Sequence, residues 1–147
     1  MSRYSPRGIL IMLRRFAVVA LITATLSACA TPTSKGDLLE NTLQSYAAVI
    51  RWGNFEDAVG FVDPATLQAH PLTTLDLQRY SQVRVSGYTE QPRRAAGDGE
   101  VRQTVEITLA NNNTQTVRSI IDRQVWRYDE KAKRWWLVTG LPDITQH

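Results

Sequence analysis

Few side chains in this chain have the type and spacing that chemistry needs. The single thiol, Cys29, closes the run Leu26-Ser27-Ala28-Cys29, and the only imidazoles are His70 and the terminal His147. One cysteine allows no internal disulfide, and two separated histidines offer no metal-ligand spacing, so neither a metal nor a cofactor is expected. No serine lies in a Gly-x-Ser-x-Gly turn. The acid–base candidates are Asp57, Asp63, His70, Tyr80 and Asp122. Asp57 and Asp63 are sufficiently explained as helix-start residues, and His70, just before Pro71, reads as a loop residue. Asp122 stands in mid-strand between Ile121 and Arg123, where an unpaired buried charge is costly. Facing inward it is a base or a ligand anchor; facing outward it meets solvent or a cross-strand arginine such as Arg102. No catalytic constellation emerges from this set.

The position of Cys29 says more than its thiol does. Basic Arg3, Arg7, Arg14 and Arg15 precede the apolar run Phe16 to Leu26, and small residues follow, the three parts of a secretory leader. Phe16 to Ala28 is 13 residues, short of the roughly 20 that span a bilayer. Leu26-Ser27-Ala28-Cys29 resembles the lipobox of bacterial lipoproteins. That resemblance implies a diacylglyceryl thioether on Cys29, cleavage by signal peptidase II between Ala28 and Cys29, and acylation of the freed amine by chains such as palmitate. Two or three acyl chains, at about 0.8 kcal/mol per buried methylene, make a lasting membrane anchor. Ala30 in place of Asp implies, by the sorting rule of enteric bacteria, the inner leaflet of the outer membrane, with the domain facing the periplasm. Translation from Met12 would give a leader of ordinary proportions. Arg14-Arg15-Phe16 is an incomplete twin-arginine pattern, and the general secretory route is expected.

Setting residues 1–28 apart changes the charge. The whole chain has 17 Lys and Arg against 14 Asp and Glu, but four arginines and no acids precede Cys29, leaving 13 against 14. A net charge of −1 gives no electrostatic reason to expect nucleic acid. Cys29 to His147 is 119 residues, enough for one domain with a core of its own.

The elements that must position any site follow from local patterns. Residues 29–36 read as the modified cysteine and a small, Pro-interrupted tether, and 37–147 as a single domain. Seven tether residues span about 15 Å on average and at most about 25 Å. Asp37-Leu38-Leu39-Glu40 has capping-box form, and Leu39, Leu43, Tyr46, Ala47 and Ile50 lie on one face of the helix it opens. Gly53 is expected to end that helix in left-handed backbone, Asn54 to cap a second, and Asp63-Pro64 to open a short third reaching about Ala69. Four β-rich segments follow, over Tyr80–Tyr88, Val101–Leu109, Val117–Tyr128 and Trp135–Val138. Alternation slips at Ile120-Ile121, which predicts a bulge there. PRRAAGDG, NNN and DEKAK read as the turns between strands, with Arg93 and Arg94 solvated.

The predicted fold is therefore α+β, with N-terminal helices packed on a curved four-stranded antiparallel meander. The run AAVIRWGNFEDAVGFVDP, followed by four strands in order, resembles the nuclear transport factor 2-like (cystatin-like) superfamily, whose sheet wraps a long helix to form a cone. The chain is also similar to small lipoproteins of Gram-negative bacteria. The superfamily resemblance implies an apolar pocket, which in some members houses an Asp, His or Tyr acid or base.

Four tryptophans remain: Trp52, Trp126, Trp135 and Trp136. Adjacent in one strand, Trp135 and Trp136 must face opposite sides of the sheet. The expected function is that of an anchored, non-enzymatic module. It binds an envelope protein partner or a small apolar ligand through the cone or its outer face, with Asp122, His70, Tyr80, Trp126, Trp135 and Trp136 as candidates for pocket or interface. A ligand binder or enzyme with a polar group in the pocket is the alternative, and a structural envelope component the third reading.

Overall fold

Helix α1 (Lys35–Trp52) opens the part of the chain that the computed structural model describes, residues 34–146. The leader, the Met12 start, the cleavage site, Cys29, most of the expected tether and His147 lie outside the described residues. Ser34 is the N-cap. Its hydroxyl accepts from the Asp37 N–H at 3.1 Å, and the Asp37 carboxylate accepts from the Ser34 N–H at 3.1 Å. The capping box thus sits one turn ahead of Asp37-x-x-Glu40, and Glu40 instead pairs with Arg93 at 2.8 Å. Lys35 and Gly36, expected in the tether, are helical. Leu43, Tyr46, Ala47 and Ile50 recur at three- and four-residue spacing and are all buried.

Gly53 ends α1 in extended backbone, with φ −102° and ψ −157°, rather than left-handed as predicted. Its N–H donates to the Val49 carbonyl at 2.8 Å, and a Cβ at this position would lie 2.9 Å from the same oxygen. Close approach, not positive φ, is what requires glycine. The second helix is a 3₁₀ segment (Asp57–Phe61) with no side-chain cap, so Asn54 does not cap it; the Asp57 carboxylate accepts from the Asn54 N–H at 3.4 Å. Helix α2 (Pro64–Ala69) is as read, with Asp63 capping the Ala65 N–H and Pro64 in the first turn. A further helix, α3 (Thr74–Ser81), opens on a capping box between Thr73 and Asp76. It takes Tyr80 out of the strand to which the sequence assigned it.

The sheet is antiparallel with five strands rather than four: β1 (Val83–Glu90), β2 (Arg94–Ala95), β3 (Glu100–Asn111), β4 (Val117–Asp129) and β5 (Arg134–Leu137), in the order β1-β3-β4-β5. Strand β2 continues along the same edge of β3 as β1, and Pro92, lacking an N–H, falls in the break between them. Strands β3 and β4 pair without interruption from Glu100↔Arg127 to Ala110↔Val117, so there is no bulge at Ile120-Ile121. The register shift is in β1, between Val85 and Gly87. A Cβ on Gly87 would meet the Thr108 side chain at 3.0 Å, so the glycine lets the edge strand lie close at its bend.

The inner face of this curled half-barrel takes α1. Tyr46 meets Trp126 edge-on at 5.2 Å between ring centroids and Phe61 at 5.5 Å, among Val105, Ile107, Leu109, Ile120 and Leu137. The chain end, Leu141 to Gln146, straps the open side. Ile144 is buried, Tyr80 Oη donates to the Pro142 carbonyl at 3.0 Å, and the Arg118 guanidinium donates to the carbonyls of Ile144 and Gln146.

Candidate functional site

Two places combine concavity or unusual polarity with residues the sequence singled out. The first is a buried polar cluster on the inner face of β4, where two-residue alternation places Asp122, Gln124 and Trp126 side by side. The Trp126 Nε1–H donates to Gln124 Oε1 at 3.0 Å, and Gln124 Nε2 donates to Asp122 Oδ2 at 2.8 Å and to Tyr88 Oη at 3.2 Å. Asp122 is 7% exposed and has no basic partner among the described residues. Burial pushes its carboxyl up to about 6, against the smaller opposing effect of the Gln124 hydrogen bond. Cross-strand it faces Val105, and Arg102 faces Val125, so the Asp122–Arg102 pair does not form.

Three phenols feel the charge of that carboxyl. Burial, reinforced by the Asp122 charge, raises Tyr46 well above the usual phenol range, and burial raises Tyr88 too. Tyr80 is pushed up to about 12, chiefly by burial, with Asp76, Asp143 and Asp122 adding to it. Tyr46 Oη and Gln103 Oε1 are buried without a hydrogen-bond partner. A buried carboxyl with its pKa raised to about 6 can hold or pass a proton. Unsatisfied groups of this kind also mark places where a water or ligand atom completes the bonding.

The second place is a cleft of about 530 Å³ between the end of α1, α3 and β1. Its lining mixes apolar Ile50, Phe55, Leu77, Tyr80, Val83 and Val85 with polar Arg51, Asn54, Glu56, Ser81, Arg84 and Asn112, more of its exposed surface is polar than apolar, and the Tyr80 ring stacks on Phe55 at 4.6 Å. Its lip holds Trp52, which is 81% exposed with the Arg51 guanidinium 5.3 Å from its ring centre. Asp122, Tyr46 and Tyr88 are not in its lining, so the cleft and the buried cluster are neighbours through Tyr80 rather than one site.

The predicted residues scatter accordingly. Asp122 and Trp126 meet in the cluster, with Trp126 fully buried and closed to any partner. Tyr80 lines the cleft. His70 is exposed as the C-cap of α2 and joins neither place. Trp135 is core, its Nε1–H donating to the Lys35 carbonyl at 3.0 Å; Trp136, on the opposite face, is half-buried beneath the Arg134 guanidinium at 3.7 Å. Sequence reasoning left Trp52 without a role, although it falls off the Leu43, Tyr46, Ala47, Ile50 stripe and so points away from the core. Among the described residues no group of three or more His, Cys, Asp or Glu side chains could hold a metal ion, and no helix is long and apolar enough to cross a membrane.

Compared with known proteins, the chain matches no family model, no curated protein and no solved structure.

Proposed function

We propose that this is a lipid-anchored binding module of the bacterial envelope, held through Cys29 to the inner leaflet of the outer membrane, that engages a partner protein through the cleft at the end of α1. The observation that carries this reading is an 81% exposed tryptophan on a cleft of mixed apolar and polar lining. Trp, Tyr and Arg dominate the energetics of protein interfaces, and here Trp52, Tyr80, Arg51 and Arg84 surround one concavity. We also assign the fold to the nuclear transport factor 2-like cones, on the order of helices before strands and on a long helix laid against a curled meander.

A photo-crosslinking residue at position 52, in native membranes, tests the binding role. One specific protein adduct is expected, lost in a Leu77→Asp variant and absent from a probe at Ser119 on the outer face. Equal labelling at 52 and 119, or an adduct indifferent to Leu77→Asp, would falsify the partner reading. The anchor is tested separately: Cys29→Ala should abolish labelling by a fatty-acid analogue and release the protein from the membrane fraction.

The buried cluster supports a second reading, a small-ligand or acid–base site, because Asp122 combines burial with a raised pKa and Tyr46 Oη lies unpaired nearby. Tyr80 lines the neighbouring cleft and its phenol feels the Asp122 charge, so it links the two places. This reading expects a Tyr80→Ala variant to change ligand capture from envelope extracts, and equal capture by that variant and the parent protein counts against it.

A further inference from the structure

The end of the domain at which α1 begins carries a small excess of positive charge, eight Lys and Arg side chains against six Asp and Glu over residues 35–40, 93–102 and 127–134. Lys35 pairs with Glu130 at the β4–β5 turn and lies 4.9 Å from the centre of the Tyr128 ring, while the Tyr128 N–H donates to the Gly99 carbonyl of the β2–β3 turn at 2.8 Å. Both hairpin tips and the helix start therefore form one end. Here Arg94 and Arg102 are directly opposite each other in the β2–β3 register, both exposed on the outer face. Like charges so placed destabilise a sheet unless something anionic lies between them. Glu100 is shared between Arg102 at 3.3 Å and Arg127 at 3.6 Å, Arg94 has no ion-pair partner among the described residues, and Lys131 makes no ion pair within 4 Å although its charge acts on Asp129. A groove of about 630 Å³ runs beside the arginine pair, lined also by Gln91 and Thr104. The chain after the leader is net −1, so this excess is local rather than a property of the whole domain.

We propose that this end docks on a membrane surface of anionic phospholipid, with Arg94, Arg102 and Lys131 taking headgroup phosphates. The proposal rests on the anchor reading. Cys29 lies five residues before Ser34, so an acylated Cys29 keeps the start of α1 within about 18 Å of the bilayer. At that range the arginine pair and the β4–β5 tip face the surface; Lys131 and Lys133 balance Asp129 and Glu130 at the tip, so the excess positive charge there comes from the arginine pair. Anionic headgroups supply Arg94 with the partner it lacks and Arg102 with a second beside Glu100, and guanidinium groups bind phosphate in a fixed fork. Trp136, under Arg134 on the same outer face, suits the headgroup zone.

The test uses the lipidated protein, extracted from membranes and reconstituted in vesicles of phosphatidylcholine alone or with phosphatidylglycerol. An acylated Cys29 leaves no free thiol, so Ala132→Cys at the β4–β5 tip and, as control, Thr114→Cys at the opposite end each take a single fluorophore. Quenching by neutral acrylamide should fall at position 132 only when phosphatidylglycerol is present, and return at high salt; position 114 should not change. Each cation at such a surface multiplies the docked-to-undocked ratio about fivefold, so the combined Arg94→Gln, Arg102→Gln, Lys131→Gln variant should lose the protection while keeping its near-ultraviolet circular dichroism. Protein that stays in the vesicles but is quenched equally at 132 in both lipids overturns the docking proposal alone. Protein that leaves the vesicles at both compositions overturns the anchor reading, and the proposal with it.

Discussion

Replacing Asp122 by Asn should stabilise the protein at neutral pH and leave it almost unchanged near pH 4. Asp122 titrates at about 6 in the folded protein against 3.8 for the unperturbed group, a difference of about two units. At 1.36 kcal/mol per unit, that is about 3 kcal/mol. The sign follows from which state holds the proton. With the folded pKa raised, the native state keeps its proton where the unfolded chain has already lost it. Stability from this group is therefore full below about pH 4, declines as pH rises through 6, and is flat above. Asn keeps an acceptor for Gln124 Nε2 and cannot ionise, so it escapes the decline. The carboxylates whose pKa is lowered, Asp37, Asp76, Asp129 and Asp143 among them, act in the opposite direction at lower pH, but parent and variant share them, so the difference curve isolates Asp122. Urea titrations at pH 4, 5, 6 and 7.5, followed by far-ultraviolet circular dichroism, provide the measurement. The expected gain at pH 7.5 is about 3 kcal/mol, on the order of 10 °C in Tm. A gain that does not depend on pH, or a loss at pH 7.5, refutes the premise that the carboxyl is buried without compensation.

Tyr46→Phe removes a hydroxyl that has no partner and should change stability by less than about 1 kcal/mol, toward greater stability; a clear loss in the same urea titration would reveal a bound water or ligand on that oxygen. Ser34→Ala and Thr73→Ala each delete a capping box and should cost about 1 kcal/mol, whereas Asn54→Ala, which makes no cap, should cost markedly less. Ile144→Ala loosens the strap and should cost about 2 kcal/mol, with faster proteolytic trimming of the chain end and no change in the circular dichroism of the sheet.

What the sequence made legible was local. Asp63-Pro64 opens α2 as read because its signal needs no tertiary partner. The start of α1 was misplaced because Ser34-x-x-Asp37 and Asp37-x-x-Glu40 both have cap form. The choice between them is made at long range, by Trp135 bonding the Lys35 carbonyl and by Arg93 taking Glu40. The bulge was misplaced for a related reason. Ile120 and Ile121 are both apolar, but Ile121 is half-buried on the outer face and the alternation never slips. That error also hid the polar cluster, since unbroken alternation from Ile120 puts Asp122, Gln124 and Trp126 on the inner face. Tyr80 was drawn into a strand by aromatic composition, while the capping box from Thr73 to Asp76 marked a helix. The cleft was out of reach because its floor comes from α1, α3, β1 and the loop around Phe55, which only the fold brings together.

The two proposed surfaces lie at opposite ends of one helix. Eighteen residues of α1 make a rod of about 27 Å, with Lys35 at the basic end and Trp52 at the cleft. A short tether by itself leaves the cleft free to face the bilayer or the periplasm. On the proposed reading, docking through Arg94, Arg102 and Lys131 would remove that freedom and turn α1 away from the membrane. The cations would then serve binding without touching the proposed partner, by holding the cleft where a periplasmic protein could reach it. This coupling separates the joint reading from its parts. If it holds, the Arg94, Arg102, Lys131 triple variant lowers crosslinking from position 52 in native membranes while leaving the cleft intact. If the cleft acts alone, crosslinking is unchanged.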